Sequence, residues 1–376
     1  MNPLLRLKEL GQSIYLDEIR RSWIEDGELK RLIDEDGLAG VTSNPSIFHK
    51  AIADTDDYAD AIAAHARAGA TPEATYEDLT VSDIAAAADL FRPQFDASGG
   101  MDGWVSLEVS PELAHDEDGT VAEGKHLFAR LDRPNAFIKV PATDAGVGAI
   151  RRLIAAGVNV NVTLLFGLPR YRQVAEAFLA GLEERQRAGK SVNVASVASF
   201  FLSRIDVMID PQLDAVAKQP VPQATAAHQL RGTAAIASAR RAYVIYEELF
   251  GPSAARFAPL ARAGARPQRL LWASTSTKDP SYPDTKYVEP LIGKDTINTL
   301  PLTTIAAYRD HGDPQLRISE GASDAQALLQ ALSGVGVDLD AVTAKLEAEG
   351  VEKFIKAYKD LLATLAASLE AAPTRS

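Results

Sequence analysis

The sequence predicts an α/β chain folded as a closed (β/α)8 TIM barrel with a helical C-terminal extension. Three observations lead to that reading. Eight short β-like runs recur along the 376 residues. Stretches with apolar residues at three-to-four spacing separate them, and a glycine often stands just past the end of such a stretch, where a helix favours a left-handed cap. Strands that alternate with helices build parallel β/α units, and eight such units close a barrel. An open doubly wound sheet is the second fold compatible with the pattern. The length would allow two domains, but α/β barrels routinely use this much chain as one. Residues 1–376 are therefore expected to form a single barrel domain, with 302–376 as a C-terminal helical part packing on it.

The β-like runs are QSIYLD (12–17), LAGVTSN (38–44), GWVSLEV (103–109), NAFIKV (135–140), VNVNVTLLF (158–166), VNVASVASFF (192–201), RLLWAST (269–275) and TINTLP (296–301). Helical patterns between them include VGAIRRLIAAG (147–157), LPRYRQVAEAFLAGLEERQRAG (168–189) and HQLRGTAAIASARRAYVIYEELFG (228–251). Two segments read as insertions: the acidic, turn-rich SPELAHDEDGTVAEGK (110–125), and DPQLDAVAKQPVPQATAA (210–227), which ends in Pro-rich loop chemistry. Beyond the eighth run, residues 323–371 keep a helical period, and the terminal APTRS (372–376) reads as a frayed end.

Charge and composition narrow the function. A formal net charge of -12 without any Lys/Arg-rich run argues against a nucleic-acid or anionic-membrane partner, which would need a basic patch. An anionic substrate would have to be met by a few local cations. The absence of cysteine excludes disulfides, thiolate metal sites and thiol catalysis. The N-terminal MNPLLRLKELGQSIYLDEI has no apolar signal-peptide core, and no segment reaches the roughly 20 apolar residues of a membrane span. A soluble cytoplasmic protein, monomer or homodimer, is expected.

The segment NAFIKVPATDAG (135–146) places a lysine in an apolar strand. Alternation puts Phe137 and Lys139 on one face and Ile138 and Val140 on the other, and both faces look interior. Burial favours the neutral amine, the nucleophilic form of lysine. A lysine curling out at the strand end, or paired with a buried carboxylate, is the structural alternative. In a parallel barrel, chemistry sits at the C-terminal strand ends. There the sequence supplies Asp17, Asn44, Glu108, Lys139, Asn161, Thr163, Ser199 and Ser274. Singly, Asp17 could cap a helix, Asn44 could serve the turn before Pro45, and Thr163 could fill a strand. Together they converge on one cavity holding a lysine, two carboxylates and neutral hydrogen-bonding groups.

That set suits covalent carbonyl chemistry: a desolvated lysine forms a Schiff base with a ketone while carboxylates move protons. It suits a metal poorly, because the six histidines show no ligand spacing. The HDEDG at 115–119 lacks the remaining positions of a calcium loop and reads as a solvated turn, and DAGVGAI lacks the third glycine of a dinucleotide fingerprint. Arg204 is placed either to grip a phosphate bidentately or to pair with Asp206 or Asp210.

GVTSNPSIF (40–48) and IKVPATDAGVGAIRRL (138–153), followed in order by NVNVTLLF, SFFLSR and DTINTLP, resemble the signatures of the transaldolase family, in its longer, bacterial-type branch. The resemblance runs from about residue 10 to 301. It implies a cofactor-free Schiff-base transferase of the pentose phosphate pathway, acting on sugar phosphates. By the same resemblance, Lys139 holds the imine, Glu108 and Thr163 with a water shuttle protons, and Asp17 takes the C4 hydroxyl proton. Asn44 and Asn161 would hold hydroxyls and orient the lysine, Ser199 would position the C1 hydroxyl, and Arg204 would bind phosphate. Many relatives carry a second phosphate-binding arginine after the seventh strand; this chain has WASTSTKDP (272–280), with Ser276 at that place, so Lys278 is expected to compensate as a point charge, with Ser274 a further substrate-binding residue. A fructose 6-phosphate aldolase-like lyase is the nearest alternative, but those relatives tend to carry Gln at the place of Glu108 and Tyr at that of Phe201. A non-catalytic sugar-phosphate binding barrel is a third reading, against which stand Lys139, Asp17 and Glu108 together.

Overall fold

All eight expected strands form, and they close in sequence order. The structure is a computed structural model and describes residues 2–371; the terminal APTRS lies outside them. The strands are β1 (Gln12–Leu16), β2 (Gly40–Val41), β3 (Trp104–Glu108), β4 (Ala136–Pro141), β5 (Val160–Leu165), β6 (Ser196–Phe201), β7 (Arg269–Ala273) and β8 (Thr296–Leu300), joined as a closed barrel. Every pairing is parallel, including β1 with β8. The open-sheet alternative is thereby ruled out.

Strand ends differ from the sequence reading for local reasons. β2 stops at Val41 because Asn44 caps the helix Pro45–Ala53, its side chain accepting from the Ile47 N–H. β7 stops at Ala273 because Ser274 turns to φ 53°, a conformation a strand cannot hold. In β5, Leu164 also has a positive φ of 53°, and the register with β6 slips between Val162 and Leu165, which marks a bulge.

Both expected insertions are partly helical. The acidic run 110–125 leads into the helix Glu117–Leu131, capped by the Asp116 side chain on the Gly119 N–H at 3.0 Å. HDEDG is therefore a helix start rather than a free turn: carboxylates in a first turn are stabilised by the helix dipole. In the second segment, residues up to Ala217 belong to the helix Ser203–Ala217, which runs through Pro211. The pattern at 228–251 is broken into Ala224–Leu230 and Ala234–Phe250, with Gly232 at φ 70° donating its N–H to Asp210. The tail forms the helices Ala322–Gly334 and Leu339–Ala371, related by a 90° bend. Among the described residues no single helix is long and apolar enough to cross a membrane.

The inside of the barrel is sharply graded. Its N-terminal end is plugged by Tyr15, Trp104 and Phe137, the last two stacked with centroids 4.1 Å apart. Arg269 is buried beside them, donating to Met101 O, Ser13 Oγ and Thr296 O and paired with Asp102 at 3.6 Å. Gly40 makes room for this plug. A Cβ there would stand 2.5 Å from the Trp104 carbonyl oxygen and 2.8 Å from the Tyr15 ring, so backbone or a packed ring would have to shift. Gly40→Ala should lower the unfolding free energy by roughly 1–3 kcal/mol, read as a reduced denaturant midpoint at unchanged slope.

Candidate active site

The C-terminal end of the barrel opens into a cavity of about 260 Å³. Asp17, Asn44, Lys139, Ser199, Arg204, Ser274 and Lys278 line it, with Thr42, Phe201, Thr299 and Phe354 among the other walls. Of the ten sequence-derived residues, the remaining three, Glu108, Asn161 and Thr163, are buried in the barrel wall.

Strand register explains the grouping. Lys139 on β4 is level with Glu108 on β3 and Asn161 on β5, so all three point inward at one height. The Lys139 side chain is 4 % exposed; its Nζ donates to the Ser43 carbonyl at 2.9 Å and lies 3.4 Å from Glu108 Oε2. Among the described residues neither Glu108 carboxylate oxygen nor the Thr163 hydroxyl has a hydrogen-bond partner. Asn161 is held at both ends of its amide: Nδ2 donates to Ser106 Oγ at 3.0 Å, and Oδ1 accepts from Ser199 Oγ at 2.7 Å. That bond fixes the Ser199 hydroxyl at the cavity edge.

The carboxylates respond to this setting. Burial pushes the Glu108 carboxyl up from 4.5 to about 7; the Lys139 ammonium opposes the rise, and Asp17 adds to it. Asp17 is also raised, chiefly by burial, against the pull of Lys139 and of the Thr42 hydroxyl. Thr42 Oγ1 donates to Asp17 Oδ1 at 2.9 Å and is itself 2.7 Å from Thr299 Oγ1. This three-member chain ties β1 to the ends of β2 and β8 and leaves the other Asp17 oxygen free of it.

Two cations mark the far side. Among the described residues Arg204 has no carboxylate within ion-pair distance, and its neighbours in sequence, Asp206 and Asp210, are engaged elsewhere. Asp206 accepts from the Ala235 N–H and the Tyr287 hydroxyl, and Asp210 from the Gly232 N–H and the Tyr282 hydroxyl, all at 2.7–2.8 Å. Lys278 donates to Ser276 Oγ at 2.5 Å, and burial together with the Arg204 guanidinium lowers its pKa. Ser274, held by Ser203 Oγ at 2.9 Å, completes this side. A larger cleft of about 400 Å³ lies beyond Lys278, but its carboxylates are consumed internally: Asp214 pairs with Arg231, and the bonds of Asp206 to Tyr287, Asp210 to Tyr282 and Asp279 to Arg231 pin the loop after β7.

The chain matches the family model described as Transaldolase/Fructose-6-phosphate aldolase over residues 14–365. It belongs to that family. A Transaldolase of Arthrobacter sp. (strain FB24) is 46% identical over 372 residues, 98% of each chain. A Transaldolase of Thiobacillus denitrificans is 47% identical over 97% of this chain and 100% of its own. That of Thermobifida fusca is 47% identical over 98% and 99%. The relatives are bacterial and of matching length, as the longer branch requires.

Four contributors were not singled out in the sequence. Thr42 and the Ser43 carbonyl lie inside GVTSNPSIF and Thr299 inside DTINTLP, so the motifs held them but their partners were visible only in three dimensions. Phe354 carries no sequence signal, because it reads as one more apolar residue of a helical tail.

The Glu108 carboxyl should titrate near pH 7, followed by the chemical shift of its side-chain carbon. Lys139→Met should move the midpoint up and Asp17→Asn should move it down, since the first removes a stabilising charge and the second a repelling one. Folded, this carboxyl keeps its proton to about 7, whereas the unfolded one loses it near 4.5. Its contribution to stability therefore declines as pH rises through that window.

Proposed function

We propose that the cavity carries out transaldolase chemistry, transferring a dihydroxyacetone unit from sedoheptulose 7-phosphate to glyceraldehyde 3-phosphate. The observation that carries the reading is Lys139: a buried amine with one carbonyl partner, beside an unsatisfied carboxyl, facing a cavity whose far side is cationic.

The Lys139 amine adds to the C2 carbonyl of the ketose and expels water, giving an imine. Glu108, poised near neutral pH, is suited both to give the departing hydroxyl its proton and to take one back on hydrolysis, with Thr163 holding the water between them. Asp17 accepts the C4 hydroxyl proton as the C3–C4 bond breaks, and the bond electrons move into the iminium on Lys139. Erythrose 4-phosphate leaves. The enamine carbon then attacks the aldehyde of glyceraldehyde 3-phosphate, the new alkoxide takes the proton from Asp17, and water releases fructose 6-phosphate.

Asn44 keeps an amide N–H₂ for a substrate hydroxyl while its oxygen caps the helix. Ser199, set by Asn161, is placed for the C1 hydroxyl. Arg204, Lys278 and Ser274 bind the phosphate, the arginine through paired N–H groups and the lysine as a point charge. The aldolase-like alternative is less well supported, because Phe201 presents ring carbon to the cavity where such relatives tend to carry a tyrosine.

A coupled assay of transfer tests the assignment. Lys139→Met should lower kcat by at least about 10⁴-fold. Arg204→Ala should raise KM for both sugar phosphates by roughly 10- to 100-fold, the worth of hydrogen bonds to a charged group, with Lys278→Ala smaller in the same direction. Product formation from the donor alone, as fast as in the presence of acceptor, would favour the lyase.

A further inference from the structure

We propose that Phe354, on the C-terminal helix Leu339–Ala371, sets the fate of the Lys139-bound enamine by keeping water from it, so that an aldehyde acceptor is taken in preference to a proton. The inference rests on the Lys139 chemistry proposed above.

Among the described residues Phe354 is the one that lines the cavity without belonging to a strand or the segment just after it. It is 6 % exposed, and its ring centroid lies 6.0 Å from Lys139 Nζ. That distance is at the outer limit of a cation–π contact, so the ring acts chiefly as an apolar roof. The roof is held one turn away on each side, because residues four apart share a helix face. At Gly350 the helix comes so close to the β5 bulge that a Cβ would meet Leu164 Cδ2 at 2.9 Å. At Tyr358 the ring packs edge-on against Tyr76, centroids 5.3 Å apart. The helix thus places Phe354 over the amine from two fixed seats.

The enamine has two exits. In transfer, its nucleophilic carbon bonds to the aldehyde carbon of the acceptor. In the unproductive exit, that carbon takes a proton from water, the hydroxide left behind adds to C2, the new hydroxyl passes its proton to nitrogen as the C2–N bond breaks, and free dihydroxyacetone leaves Lys139 as the amine. The second exit consumes one water and nothing else, so its rate depends on water reaching the enamine. Phe354 and Phe201 line the cavity without a proton donor, and filling the space above the amine with ring carbon excludes water while leaving the substrate mouth open to an aldehyde.

The test is a ratio measured on the full chain with fructose 6-phosphate as donor and erythrose 4-phosphate as acceptor: free dihydroxyacetone formed per sedoheptulose 7-phosphate formed. The ratio does not depend on the fraction of enzyme that is folded. Phe354→Ala and Phe354→Ser should raise it by about tenfold, equivalent to a small change in relative barrier height, and Phe354→Leu should raise it less. An unchanged ratio in the Ala, Ser and Leu variants, with transfer still measurable, overturns the shielding role. A wild type that forms neither product removes the Lys139 chemistry itself, and the shielding role with it.

Discussion

The site is organised by one buried contact, between the Lys139 ammonium and the Glu108 carboxyl at level positions of adjacent strands. Removing two charges from water is costly, and their attraction compensates only when geometry and additional hydrogen bonds are good. Here they are not: the separation is 3.4 Å, Glu108 is otherwise unsatisfied, and its carboxyl is pushed to about 7. At neutral pH the Glu108 carboxyl therefore stands close to the balance between its protonated and ionised forms. A proton that is easily moved between such states is what imine formation and hydrolysis require.

The barrel contains an internal comparison. At its N-terminal end Arg269 is equally buried, yet it bonds two carbonyls and a hydroxyl and pairs with Asp102. That cation is consumed by structure and ties strands to loops. Lys139 has a single carbonyl and a misaligned carboxylate, and it faces a cavity rather than a plug. The two ends of one barrel thus separate a cation that holds the fold from one left available for chemistry. The same distinction applies on the cavity's far side, where Asp206 and Asp210 are occupied while, among the described residues, Arg204 has no ion-pair partner.

The fold was legible because parallel strands buried on both faces are short apolar runs that helical periods cannot imitate for long. Strand ends were less legible: Ser274 and Leu164 depart from β geometry because of what surrounds them, not because of their own preferences. The acidic segment 110–125 misled for a related reason, since the residues that favour a turn also favour a helix N-terminus. The polar residues of the site were legible because barrel geometry directs every strand's C-terminal end to one place, so position along the strand sufficed to gather them. Phe354 was not, because its helix is remote in sequence from every strand and only the close approach at Gly350 brings it over the amine.

The proposed chemistry requires Lys139 to bond covalently to the substrate. Reduction with borohydride in the presence of fructose 6-phosphate, followed by intact mass and peptide mapping, tests it directly. A reduced three-carbon adduct on the peptide containing Lys139, absent from Lys139→Ala, is the predicted result. Bound sugar phosphate without an adduct on any lysine would contradict it, and would make this barrel a binding module instead.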